Sequence, residues 1–123
     1  MKIAVSSGGT GLTADVDPRF GRCPYFLLVD PETMELKAVE NSGLAATGGA
    51  GIAAAQQVAA EKAEAVLTGH CGPNAFSTLQ AAGIRVITGV SGTVQDAVRD
   101  YKAGKYAAAD QPDVSPHAGM GGN

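Results

Sequence analysis

Apolar positions along the chain gather into five short runs and three longer stretches of helical period, separated by loops rich in glycine, proline and aspartate. Lys2–Ser6 (KIAVS) is a short apolar run closed by Ser7-Gly8-Gly9, the signature of a first strand. Tyr25–Asp30 (YFLLVD) is almost continuously apolar and reads as a buried strand, with Pro31-Glu32-Thr33 as the turn after it. Leu36–Asn41 alternates loosely and is the expected hairpin partner. Ile52–Lys62 is rich in good helix formers, with Ile52, Ala55, Ala59 and Ala63 on one face. Ala65–Leu67 is a further strand. A helix is expected over Asn74–Ala82, with Phe76 and Leu79 inward, Pro73 where a first helical residue tolerates proline, and Gly83 as its stop. Ile84–Thr88 (IRVIT) is the last strand. Thr93-Val94-Gln95-Asp96 has the form of a capping box, opening a helix with Val94, Ala97, Val98 and Tyr101 on one face.

The resulting order is β-β-β-α-β-α-β-α. Strands alternating with helices in the second half imply parallel pairing through right-handed crossovers, and the first half implies a hairpin at one edge. The expected fold is a three-layer α/β domain around a mixed five-stranded sheet with one antiparallel strand. Residues 1–106 form the domain, and residues 107–123, rich in glycine, proline and alanine, form a flexible tail. In such sheets ligands gather beyond the carboxyl ends of the strands. The loops at 7–24, 42–51 and 68–73 are all placed to lie there.

Composition narrows the function classes. The chain is 45% apolar, enough for one ordinary core, and carries a net charge of −3 with nine basic residues, which argues against a nucleic-acid surface. MKIAVSSGG lacks the apolar core of a signal peptide, and no apolar run is long enough to span a bilayer. The cytoplasm is the expected compartment. Cys23 and Cys71 form no CxxC, zinc-finger or ferredoxin spacing.

Two loops hold the residues with chemistry. AVLTGHCGPNA (65–75) places His70 and Cys71 between a strand and a helix, beside unsatisfied N–H groups that favour anions and lower a thiol pKa. The bland reading is a packed cysteine and a solvated histidine. DPRFGRCPYF (17–26) places Arg19 and Arg22 around Phe20-Gly21, and guanidinium forks suit anions with several acceptor atoms. The alternative is that both arginines pair with Asp15 and Asp17. SSGGTGLT (6–13) lacks the spacing of a phosphate loop and reads as a turn. His117 and Met120 offer an imidazole and a thioether acceptable to Cu(I), or lie in the tail by chance. Asp30 and Glu40 are the strand carboxylates, too few for a nuclease site, and no acid–base constellation is present.

DPRFGRCPYFLLVD, followed by GGAGIAAAQQVAAEKAEAVLTGHCGPNAFSTLQAAGIRVITG, closely resembles the dinitrogenase iron–molybdenum cofactor-binding family. That family includes NifX-type carriers and the carboxy-terminal domain of NifB-type proteins. The resemblance implies a ribonuclease H-like α/β/α fold. It also implies a non-catalytic role in binding, carrying or storing an anionic molybdenum-containing metal–sulfur cluster, with cofactor-assembly or ATPase proteins as partners. The matching positions are Arg19, Phe20, Gly21 and Arg22 in the first loop, and Gly69, Gly72, Pro73 and Asn74 in the second. Many members carry a histidine in the glycine-rich loop before the first helix, whereas Thr47–Gly51 has none. The chain also resembles the orange-protein branch of sulfate reducers, associated with a molybdenum–copper sulfide cluster. On this reading Cys71 is the foremost metal ligand, His70 the second, and the arginines supply charge. The rival function is a thiol redox protein or sensor using Cys71.

Overall fold

The computed structural model describes residues 1–45 and 49–109. Five strands, β1 (Ile3–Ser7), β2 (Tyr25–Val29), β3 (Leu36–Glu40), β4 (Ala65–Leu67) and β5 (Arg85–Ile87), form one sheet in the spatial order β3-β2-β1-β4-β5. β2 is antiparallel to both β1 and β3, while β1, β4 and β5 are parallel. β2 alone therefore runs against the other four, which is the mixed sheet the apolar pattern predicts.

Side chains alternate across the sheet with the period of two that strands impose. Ala4, Phe26, Leu28, Val66 and Val86 face a core built with α1 (Ala50–Ala60) and α2 (Pro73–Ala81). Ile3, Val5, Leu27, Val29, Leu67 and Ile87 face a second core, closed by α3 (Val94–Lys102). The layers are thus two helices, sheet, one helix. α3 buries Val94, Ala97 and Val98 as expected, and the Thr93 side chain accepts from Asp96 N at 3.2 Å. α2 buries Phe76 and Leu79, and Gly83 ends it with φ +77°.

α1 departs from the expected face. It begins at Ala50 rather than Ile52 and buries Ala50, Ala54, Ala55 and Val58, leaving Ile52 half-buried. The cause is close backbone contact with the 3-10 turn Ser42–Ala45. A Cβ on Gly43 would lie 2.5 Å from the Ala50 carbonyl oxygen and 3.3 Å from Ala54 N. The helix rotates to present its smallest residues there.

The loop at 7–24 is more ordered than its composition suggests. It makes isolated bridges from Val16 to Ser7, Asp15 to Thr93 and Arg19 to His70, then forms a 3-10 turn at Phe20–Arg22. Beyond α3, Tyr106 packs against the second core, and Ala109 N donates to the Val86 carbonyl at 2.7 Å. Thr47 and Gly48 in the glycine-rich loop, and His117 and Met120 in the tail, lie outside the described residues. Among the described residues no helix is long and apolar enough to cross a membrane.

Candidate functional site

β1 leads on to β2 at one side of the sheet and β4 leads through α2 to β5 at the other. The topological switch therefore lies between β1 and β4, where open α/β sheets usually admit ligands. Here the chain itself fills that place. Asp17 N donates to the Ser6 carbonyl at 2.9 Å, and the Ser6 hydroxyl hydrogen-bonds the Asp17 carbonyl oxygen and Thr68 Oγ1, each at 2.7 Å. His70 N donates to the Pro18 carbonyl at 2.7 Å, and Phe20 N to the His70 carbonyl at 3.2 Å. Gly69 permits this approach, because a Cβ there would sit 2.6 Å from Pro18 Cα and 2.8 Å from its carbonyl oxygen.

Bridge pairing sorts the expected site residues by parity, since neighbours on extended chain face opposite ways. Phe20 and Cys71 point into the core beneath α1 and α2, with Cys71 at 0% exposure. Arg19 and His70 are exposed on the other side. Arg19 takes up part of the alternative reading: its Nε lies 3.4 Å from Asp17 Oδ1, which also accepts from Arg19 N at 2.9 Å. Neither cysteine forms a disulfide.

The cleft lies on the α1/α2 side, with a volume of about 320 Å³. It is lined by Phe20, Gly21 and Arg22, by Gly49–Gly51 at the start of α1, and by Gly72–Ala75 at the start of α2. Of the expected residues, Phe20, Gly21, Arg22, Gly72, Pro73 and Asn74 therefore meet. Gly69 sets the approach of the loops, while Arg19, His70 and Cys71 are not among the lining residues. The loop at 42–51 is one of the three expected at this end of the sheet, and its Gly49, Ala50 and Gly51 line the cleft without being among the expected site residues. The available signal was a Gly-Gly-Ala-Gly run ahead of a helix that has no side-chain cap. Three small residues bring these elements together: a Cβ on Gly21 would lie 3.2 Å from Gly51 Cα, and one on Gly51 would lie 3.3 Å from Ala75 Cβ.

The helix ends set the electrostatics of this cleft. α1 and α2 have glycine N-caps, Gly49 and Gly72, no side-chain cap and no acidic residue in the first turn. Among the described residues their leading N–H groups have no backbone acceptor, and such helix ends, with their positive dipole, favour anions. α3 contrasts with both. Thr93 caps it, Asp96 sits in its first turn, and Val94 N and Gln95 N donate to the Ala14 and Leu12 carbonyls, each at 2.9 Å. Gly72 has φ −73°, ordinary for any residue, and a Cβ there would meet nothing within 4 Å. Backbone geometry does not demand this glycine, and its missing side chain leaves the cleft floor open. Arg22 is exposed and makes no ion pair among the described residues. No group of three or more His, Cys, Asp or Glu side chains among the described residues is placed to hold a metal ion. The arrangement suits an anion that brings its own ligands, rather than a bare cation.

Cys23 lies behind the arginine turn, fully buried, with its thiol donating to the Phe20 carbonyl at 3.3 Å. Burial, and then the charge of Asp17, push its pKa up to about 12 from 9.0. The folded state thus keeps a proton that the unfolded chain loses. The stability this contributes is complete below pH 9 and lost as pH rises from there towards 12. A maleimide or iodoacetamide added at pH 8.5 should leave Cys23 unmodified in the native protein and label it within minutes in denaturant, as read by mass spectrometry. Rapid native labelling would show that the turn opens.

Comparison with known proteins agrees with this fold. The family model described as dinitrogenase iron-molybdenum cofactor matches residues 1–104. The apo form of the orange protein from Desulfovibrio gigas has a TM-score of 0.88 and 44% identity to this chain, covering 91% of it and 95% of that chain. A NifB-like protein from Thermotoga gives a TM-score of 0.75 at 34% identity, covering 87% of this chain and 91% of its own. An uncharacterized protein of Methanocaldococcus jannaschii is 29% identical over 108 residues, covering 85% of this chain and 88% of that relative.

Proposed function

This chain belongs to the dinitrogenase iron–molybdenum cofactor family, and from that premise we propose that it binds and carries an anionic molybdenum-containing metal–sulfur cluster without transforming it. One observation carries the reading: two helix amino termini without side-chain caps, and Arg22, which makes no ion pair among the described residues, converge on a single cleft. Each helix end contributes the equivalent of roughly half a positive charge, and the guanidinium adds a whole one. Thiometallates are polyanions with weakly hydrated sulfide surfaces, matched by backbone N–H groups, an arginine fork and the small apolar lining of Ala50, Pro73 and Ala75. The orange-protein resemblance makes a molybdenum–copper sulfide the first cargo to test, with an iron–molybdenum type cluster second.

The proposal assigns charge to Arg22, donors to the starts of α1 and α2, and room to Gly21 and Gly72. Cys71 carries no ligand role in it, because its thiol is packed in the core, and His70 sits on the far rim. A site without a protein thiolate releases its cargo intact, as a carrier in the cytoplasm must for a cofactor-assembly or ATPase partner.

The test is titration of apo protein with tetrathiomolybdate, with and without Cu(I), followed by desalting and visible spectroscopy. Retained charge-transfer bands support the reading, and Cys71→Ala and His70→Ala should retain them undiminished. A desalted protein without such bands in either arm overturns it. Loss of the bands in Cys71→Ala alone would restore direct ligation.

A further inference from the structure

A three-residue 3-10 turn cannot hold its own position, because such turns are short and poorly bonded. The turn that carries Arg22 must be fixed from outside. Asn41, the residue after β3, is buried at 3% exposure, and its backbone is pinned at both ends. Its N–H donates to the Pro24 carbonyl at 3.0 Å, and its carbonyl accepts from Leu44 N at 3.2 Å. Its side-chain amide spends both donors and one acceptor direction on the cleft. Nδ2 donates to the Gly21 carbonyl at 3.2 Å and the Cys23 carbonyl at 2.9 Å, and Oδ1 accepts from Gly43 N at 2.8 Å. Gly43 in turn abuts the first turn of α1 at the Ala50 carbonyl. One side chain thus links the backbone on both sides of Arg22 to the backbone that abuts the start of α1.

We propose that Asn41 is the positioning residue of the cleft, the buried amide that holds the Phe20–Arg22 turn in register with the α1 amino terminus so that arginine and helix end face one ligand. The proposal rests on the carrier reading for its functional consequence, while its structural half stands without it. Among the described residues no other side chain bonds these three backbone groups, and an apolar replacement would take the amide partner from two carbonyls and an N–H.

The experiment compares Asn41→Asp, which keeps the shape and removes both donors, and Asn41→Ala with Val98→Ala, a core truncation on the opposite face that lowers stability alone. Three quantities are read: thermal midpoint, tetrathiomolybdate retained well below that midpoint, and the Arg22 Nε and Gly51 amide resonances of the apo protein. Both Asn41 variants should shift those resonances and weaken tetrathiomolybdate binding at least about tenfold, the scale of one lost hydrogen bond to a charged group. Val98→Ala should melt earlier and bind like the parent. Asn41 variants that merely melt earlier and bind like the parent overturn the proposal. If the parent itself retains no tetrathiomolybdate, the carrier reading fails and the resonances decide alone: shifted, Asn41 positions the turn; unshifted, it does not. Asn41→Asp serves where the alanine variant fails to fold.

Discussion

Gly69→Ala should lower the melting temperature by at least about 8 °C and abolish cargo retention together. The new Cβ would lie 2.6 Å from Pro18 Cα, 2.8 Å from its carbonyl oxygen and 3.0 Å from its Cβ. The obstruction is backbone rather than the tip of a flexible side chain, so the loop must retreat as a unit. Overpacking of this kind costs about 1–3 kcal/mol. Retreat also strains the His70–Pro18 and Phe20–His70 backbone hydrogen bonds, each worth about 0.5–1.5 kcal/mol. A domain near 100 residues loses roughly 4–8 °C per kcal/mol. Gly72→Ala is the contrast that makes the result diagnostic. Its backbone angles suit alanine and its Cβ meets no protein atom, so stability should hold or rise by about 0.4–1 kcal/mol. Its methyl group nevertheless enters the cleft floor, and cargo binding should weaken. Circular-dichroism melts and thiomolybdate titration of both variants check the pair. Equal melting of Gly69→Ala and the parent would mean that the two loops are not locked against each other.

The different fates of these two glycines show what was legible in the sequence. Runs such as YFLLV and AVL, the Thr93–Asp96 cap, the Gly83 stop and the inward Phe76 and Leu79 are local signals, and each appears in the fold at or within a residue or so of its expected place. That Arg22 and the Gly72-Pro73-Asn74 turn line one cleft was also readable, as loops at the carboxyl ends of neighbouring strands. The plug at 15–20 was not, because it is held by single bridges to three separate segments and leaves no periodicity of its own. The start of α1 was readable only as a loop at the ligand end of the sheet, because its Gly49 N-cap offers no Ser, Thr or Asp to mark where the helix begins. Arg19 and Arg22 could not be separated without knowing that a 3-10 turn begins between them. His70 and Cys71 could have been. Adjacent residues on the extended chain after a strand face opposite sides, as the exposed His70 and the buried Cys71 do.

Charge reversal at Arg22 should remove cargo binding with little effect on the fold. Arg22 is exposed and unpaired among the described residues, and surface substitutions of that kind usually stay within about 0.5 kcal/mol of the parent stability. Its contribution to a bound polyanion is larger. A hydrogen bond to a charged group is worth about 1.5–3 kcal/mol, so Arg22→Ala should weaken retention by roughly 10- to 150-fold. Arg22→Glu places a carboxylate between two helix amino termini and competes with the cargo for the same N–H groups, so no cluster should survive desalting. Arg22→Lys keeps the charge but loses the planar fork, and should fall between parent and alanine. Arg19→Ala should change retention less than about threefold, because that guanidinium is turned to Asp17 and lies outside the cleft lining, leaving only weak long-range attraction at ordinary ionic strength. The same screening predicts that the parent releases cargo as salt is raised. Visible absorbance retained after desalting, measured across this series and across salt concentration, checks the order. Arg19→Ala losing cargo while Arg22→Ala keeps it would move the binding site to the opposite rim, beside His70.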